Sequence, residues 1–125
     1  MKLVTKELEE KFKKYPFDSQ EGLLGNAKVI VKYFNPVGVG TWLITEAEKQ
    51  ENGKYLFFGY CNLGDDQNAE FGYVSQEDLE NTNLPFGLKI ERDMYLSEDT
   101  TVIDEMKCLG MAVPDYYHTN ADLEK

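Results

Sequence analysis

Between Gly40 and Leu96 the chain repeats short, aromatic-rich runs that are separated by glycine-bearing and acidic turns. The runs read GTWLITEAEK, KYLFFGYCNL, AEFGYVS and LKIERDMYL. Apolar residues that recur at every second position are typical of antiparallel strands with one buried face. The pattern therefore predicts a sheet, but it does not indicate a reaction.

Capping residues place helices on either side of these strands. Thr5 can cap an N-terminal helix that ends near Tyr15, before Pro16. Ser75 followed by Asp78 resembles a capping box for a short helix over 76–80. Asp99 or Thr100 can cap a last helix that stops at Gly110. The predicted strands cover residues 27–34, 41–48, 55–62, 69–74 and 88–95, with a tight hairpin at 52–53.

These elements predict an α+β fold. We expect one twisted antiparallel sheet of about five strands, a meander plus one, with the N-terminal helix, a short helix before the last strand and the C-terminal helix on one face of it. A chain of 125 residues favours a single domain, here 1–113, followed by a flexible polar tail, 114–125. Cys61 and Cys108 are too few for a disulfide framework, so we expect structural thiols.

The charge of the chain is unevenly distributed. It carries 13 basic and 23 acidic residues, a net charge of −10. Residues 1–63 hold 9 lysines and 8 acids, a net of +1, whereas residues 64–125 hold 4 basic and 15 acidic residues, a net of −11. Direct binding of nucleic acid needs the opposite sign. The acidic half instead favours either simple solubility or a protein partner that presents basic groups.

Several kinds of chemistry lack the residues they need. The only histidine, His118, lies in the predicted tail, so triad arrangements and zinc sites are disfavoured. The Gly38–Gly40 segment precedes a strand and not a helix, which argues against a phosphate-binding loop. We expect no cofactor and no metal. The start of the chain lacks a signal peptide and no apolar run could span a membrane, so we expect a cytoplasmic protein without a membrane partner.

Seven residues are candidates for a binding site. On the fifth strand Arg92, the only arginine, either pairs with an acid on a neighbouring strand or anchors a carboxylate or phosphate ligand. On the second strand Trp42 and Glu46 are expected to share a face, either in the core or at an interface. Asp65, Asp66 and Glu70 form either a solvated turn or a cation site. The full candidate set is Trp42, Glu46, Glu70, Tyr73, Glu91, Arg92 and Asp93.

Five segments, taken in order, resemble a known family. They are KLVTKE at the start, Thr-Trp-x-x-Thr-Glu at 41–46, Phe-Phe-Gly-Tyr at 57–60, Glu-Phe-Gly-Tyr-Val-Ser at 70–75 and Ile-Glu-Arg-Asp at 90–93. Over residues 2–110 the chain resembles the family named domain of unknown function 2958. Its members are small proteins encoded on bacterial plasmids and conjugative transposons. The resemblance implies that setting and brings no catalytic residues with it.

Three hypotheses for the function follow. The first is a non-catalytic accessory protein of a mobile element that engages a protein partner through its acidic half, in its sharpest form an inhibitor that mimics nucleic-acid charge against a defence nuclease. The second is a small-ligand module or a carboxylate-based enzyme that uses Glu46, Glu91, Arg92 and Asp93. The third is a structural subunit of a transfer assembly. The sequence leaves the oligomeric state open.

Overall fold

The computed structural model describes residues 1–118. They form three helices, five strands and three short 3₁₀ turns. The helices are α1 (Lys6–Phe12), α2 (Gln76–Asn81) and α3 (Val102–Cys108); the strands are β1 (Val31–Phe34), β2 (Thr41–Lys49), β3 (Tyr55–Asn62), β4 (Glu70–Ser75) and β5 (Glu91–Arg92); the 3₁₀ turns are Leu24–Asn26, Pro85–Gly87 and Asp115–Tyr117.

All five strands belong to one antiparallel sheet, in the order β4-β3-β2-β1-β5. This arrangement confirms the predicted α+β class and the meander plus one strand. The β2–β3 connection turns at Gly53, whose φ of 83° is the left-handed conformation that a tight hairpin requires. β4 and β5 are the two edges of the sheet.

A bulge in β2 changes which residues share a face. The pairing with β3 is regular up to Ile44 and Gly59, then skips to Glu46 and Phe58. Because one extra residue, Thr45, is inserted, every later side chain of β2 moves to the opposite face. The expectation that Trp42 and Glu46 share a face is therefore wrong.

The sheet is covered on both faces, not on one as predicted. One core packs α1 and α2 against the face that carries Ile44 and Phe57. A second core packs α3 against the face that carries Leu43 and Tyr60. Alternating side chains of β2 and β3 thus supply two apolar layers, and each needs its own cover.

The first and fifth strands are shorter than predicted. Residues 27–29 pair with the start of α3 instead of β2: the N–H of Val29 donates to the carbonyl of Thr100 at 3.0 Å. The chain then bends at Ile30, which lies with Val31 in the first core, so the predicted alternation is interrupted there. β5 pairs with only two residues of β1, and the rest of the predicted strand 88–95 is irregular.

The helix caps lie where polar side chains can accept the first backbone N–H groups. The Oγ1 of Thr5 accepts from Leu8 at 3.2 Å, and the Oγ of Ser75 accepts from Asp78 at 3.0 Å. The third cap is Thr101, whose capping box includes Asp104, and not the predicted Asp99 or Thr100.

The expected tail at 114–125 is described only as far as His118. Over that part the chain forms a 3₁₀ turn, and the ring of Tyr117 is 1% exposed in the second core. Residues 119–125 lie outside the described residues.

Candidate functional site

The candidate residues separate into two sites. Glu91, Arg92 and Asp93 line a depression of about 400 Å³ at the β5 edge, which we call the β5 groove. Glu46 and Tyr73 line a smaller depression of about 220 Å³ on the α3 side of the sheet, which we call the aromatic pocket. The two sites are built on opposite edges of the sheet, so the candidate set does not form one centre.

Arg92 contributes an unsatisfied polar group beside the β5 groove. Its Nε is buried and has no hydrogen-bond partner. Among residues 1–118 the guanidinium takes part in none of the ion pairs. The pairing with an acid on a neighbouring strand is therefore not seen. A buried N–H without a partner costs about 1–3 kcal/mol.

Asp93 is instead engaged within the protein. The Nζ of Lys32 lies 3.6 Å from Asp93 Oδ2 and 3.4 Å from Glu105 Oε1. Thr100 donates to the other oxygen of Glu105 at 2.7 Å. The lysine side chain is only 12% exposed, so it needs both carboxylates. This network fixes α3 against β1 and β5 and forms one wall of the groove.

The rim of the β5 groove is apolar and exposed. Tyr95 is 94% exposed, Met94 is 63% exposed and Leu109 is 43% exposed, and all three line the depression together with Phe34. Tyr, Met and Arg are residues that protein interfaces favour in their buried centres. The groove therefore has the composition of a protein-binding surface.

Glu46 has a structural role in the aromatic pocket. It is 5% exposed, and its two oxygens accept the backbone N–H groups of Asp18 at 3.0 Å and Gln20 at 2.9 Å. The side chain of Gln20 in turn donates to Thr45 O at 2.7 Å and accepts from Lys28 N at 2.6 Å. These contacts tie the 16–22 loop to the sheet. The sequence carried no signal for Gln20, because its role depends on the bulge that turns Glu46 toward this loop.

Three rings form the apolar side of the aromatic pocket. The ring centroid of Phe58 lies 5.9 Å from that of Phe71 and 5.0 Å from that of Tyr73. Tyr73 is 62% exposed, and Phe17 packs edge-on against it at 5.4 Å.

The two remaining candidates line neither site. Trp42 is partly buried against the first core, and its ring covers Gly40, where a Cβ would lie 3.1 Å from the ring. Glu70 is exposed at the start of β4 and pairs with Cys61 of β3, which pairs with Trp42 on its other side. Burial raises the pKa of the Cys61 thiol to about 11, which disfavours a reactive thiolate at neutral pH.

The acids of the second half are partly neutralised by lysines of the first half. Lys28 lies 3.8 Å from Glu98 and Asp99, and Lys54 pairs with Glu80. The asymmetry along the sequence is thus reduced in three dimensions.

The two acids of the β3–β4 loop accept hydrogen bonds from the loop itself, from β3 and from the segment after α3. Asp65 accepts from Gln67 N at 2.9 Å. Asp66 accepts from Ala112 N at 3.0 Å and from the Asn62 amide at 2.8 Å, and these hydrogen bonds lower its pKa. Within residues 1–118, His, Cys, Asp and Glu form no group of three that could hold a metal ion.

One comparison with known proteins identifies the family of this chain. None of the helices found in residues 1–118 has the length and apolarity that a bilayer crossing requires. No curated protein and no solved structure matches the chain. The family model described as "Protein of unknown function (DUF2958)" matches residues 3–108. This match covers most of the chain and agrees with the segments from which the resemblance was drawn, so the protein belongs to the DUF2958 family.

Proposed function

We propose that this protein is a non-catalytic binding protein that engages a protein partner through the β5 groove. The observation that carries the proposal is the exposed apolar rim formed by Met94 and Tyr95 around a depression that Arg92 also lines, while its guanidinium makes no ion pair among residues 1–118. A partner that places an apolar side chain in the groove and a carboxylate on the guanidinium satisfies both features.

The geometry gives less support to a carboxylate-based enzyme. Of its four proposed residues, Glu46 lies in the aromatic pocket and is held by two backbone N–H groups. Asp93 is bound to Lys32. Glu91 and Arg92 remain at the groove, and a general acid and a general base would have to converge on one substrate there.

The setting that we propose is a bacterial mobile element, where the protein acts as an accessory factor in the cytoplasm. A narrower form of the proposal makes it an inhibitor whose acids replace nucleic-acid phosphates on a nuclease. The net charge of −10 supports this form, while the ion pairs of Lys28, Lys32 and Lys54 count against it because they neutralise acids in the second half. Charge mimicry requires binding that weakens strongly with salt.

The test is affinity capture from the bacterial host at low and high salt with three forms of the protein. Arg92→Lys/Tyr95→Ser alters the groove, and Phe86→Ser is the matched control because Phe86 is 93% exposed and lies outside the groove. A partner retained by the wild type and the control but lost by the groove variant supports the proposal. A partner that the groove variant still captures equally would reject it, provided that all three forms have the same melting temperature.

A further inference from the structure

The opposite edge of the sheet carries a second binding feature. Within residues 1–118, β4 is hydrogen-bonded to β3 on one side only, and its residues make no other backbone–backbone hydrogen bonds. Proteins usually protect such an edge with lysine, proline or a bulge. β4 reads EFGYVS: it carries one charged residue, Glu70, at its start but no lysine, proline or bulge, so its outer backbone groups from Phe71 onward are available to another strand.

The aromatic pocket lies directly beside this edge. Phe71 and Tyr73 alternate along β4 and line the pocket from the same face of the sheet. When an extended segment is added to a sheet edge, its alternate side chains point toward that face. A strand paired with β4 would therefore direct one side chain into the pocket.

The charges of the pocket determine which side chain fits. Its lining contains Asp18, Glu21 and Glu46 and neither lysine nor arginine. Glu46 is held by backbone N–H groups, whereas the carboxylates of Asp18 and Glu21 are exposed and make no hydrogen bond or ion pair with other residues of the range 1–118. Aromatic faces and carboxylates together attract cations.

We infer that the β4 edge and the aromatic pocket bind an extended basic segment of a partner protein, with one lysine or arginine side chain in the depression that Phe58, Phe71 and Tyr73 line. The backbone of the segment extends the sheet at β4, and the carboxylates of Asp18 and Glu21 form ion pairs with the inserted basic side chain. This site is separate from the β5 groove, so it does not depend on the function proposed for the groove.

The inference can be tested with a short peptide and amide NMR spectra of the whole chain. The probe is the peptide acetyl-Thr-Val-Lys-Val-Thr-amide, and the control is the same peptide with norleucine in place of lysine. We expect the lysine peptide to bind more tightly by roughly fivefold or more, with shifts in β4 and in the 16–22 loop. Equal affinities for the two peptides, no binding at millimolar concentration, or shifts confined to the β5 groove would each overturn the inference.

Protein variants separate local recognition from general attraction. Asp18→Asn/Glu21→Gln removes two charges at the pocket, and the asparagine tolerates the φ of 72° at position 18. Glu7→Gln/Glu51→Gln removes two exposed charges elsewhere. The preference for lysine should disappear in the first variant and persist in the second. The same loss in both variants would overturn the inference, and so would a β4-mediated dimer of the chain that the peptide does not dissociate.

Discussion

Replacing Glu46 by alanine should destabilise the fold strongly, because its carboxylate connects the 16–22 loop to β2. The side chain is 5% exposed and accepts backbone N–H groups at 3.0 and 2.9 Å. Glu48 provides an internal comparison on the same face of the same strand. It is half-buried and accepts a single N–H group, that of Phe17, at 2.9 Å.

The expected magnitude follows from the number of donors that lose their acceptor. A hydrogen bond to a charged group contributes about 1.5–3 kcal/mol. Glu46→Ala removes two, one from a fully buried N–H, so we expect the free energy of unfolding to fall by about 3–4 kcal/mol. Glu48→Ala removes one at a wetter position, and we expect a loss of about 1 kcal/mol. Glu46→Gln keeps one acceptor oxygen and should fall between the two.

Urea unfolding followed by circular dichroism measures these differences. The dependence of the unfolding free energy on urea concentration should be the same in all variants. If Glu46→Ala loses no more stability than Glu48→Ala, the structural role assigned to Glu46 is wrong. In that case Glu46 would return as a candidate for binding or catalysis.

Three further predictions concern packing, thiol reactivity and pH. Gly59→Ala should lower the free energy of unfolding by about 2–3 kcal/mol, because a Cβ there would overlap the carbonyl oxygen of Leu43 on β2. A thermal melt measures the change, and an unchanged melting temperature would refute the register of β2 and β3. At mildly alkaline pH an alkylating reagent should modify Cys108 well before Cys61, because Cys108 is exposed and burial raises the pKa of Cys61 to about 11. Mass spectrometry of the digested protein gives the order of labelling, and faster labelling of Cys61 would contradict the prediction. The hydrogen bond from Lys54 lowers the pKa of Glu80 below its usual 4.5. The contribution of Glu80 to folding stability is therefore present above that pH and is lost as the pH falls through the folded-state pKa. The stability difference between wild type and Glu80→Gln should shrink on acidification, and a difference that grows would contradict the pairing.

Local features of the sequence were sufficient to predict most of the elements. Period-two alternation located β2 and β3 almost to the residue, and the Asn52-Gly53 pair located their hairpin. Thr5 and Ser75 identified the start of two helices because capping depends on the residues within one turn. These features depend only on residues that are close in sequence, so no knowledge of the tertiary structure was needed.

Features that depend on distant residues could not be predicted in this way. The bulge at Thr45 reverses the direction of Glu46, and a single insertion leaves no mark in the composition of the strand. The length of β5 depends on how many residues of β1 pair with it, and the burial of Tyr117 depends on packing against the rings of Tyr60 and Phe71. The sequence left open whether Arg92 pairs with an acid, and the lack of an ion pair among residues 1–118 became visible only in three dimensions.

The most direct test of the central claim is site-specific photocrosslinking at the rim of the β5 groove. A benzophenone amino acid is placed at position 95 in one form and at position 86 in another, since Tyr95 and Phe86 are 94% and 93% exposed. A binding site in the β5 groove predicts a discrete crosslinked partner from position 95 that is absent from position 86. The same crosslinked species from both positions, or a partner found at position 86 alone, would contradict a binding site in the β5 groove.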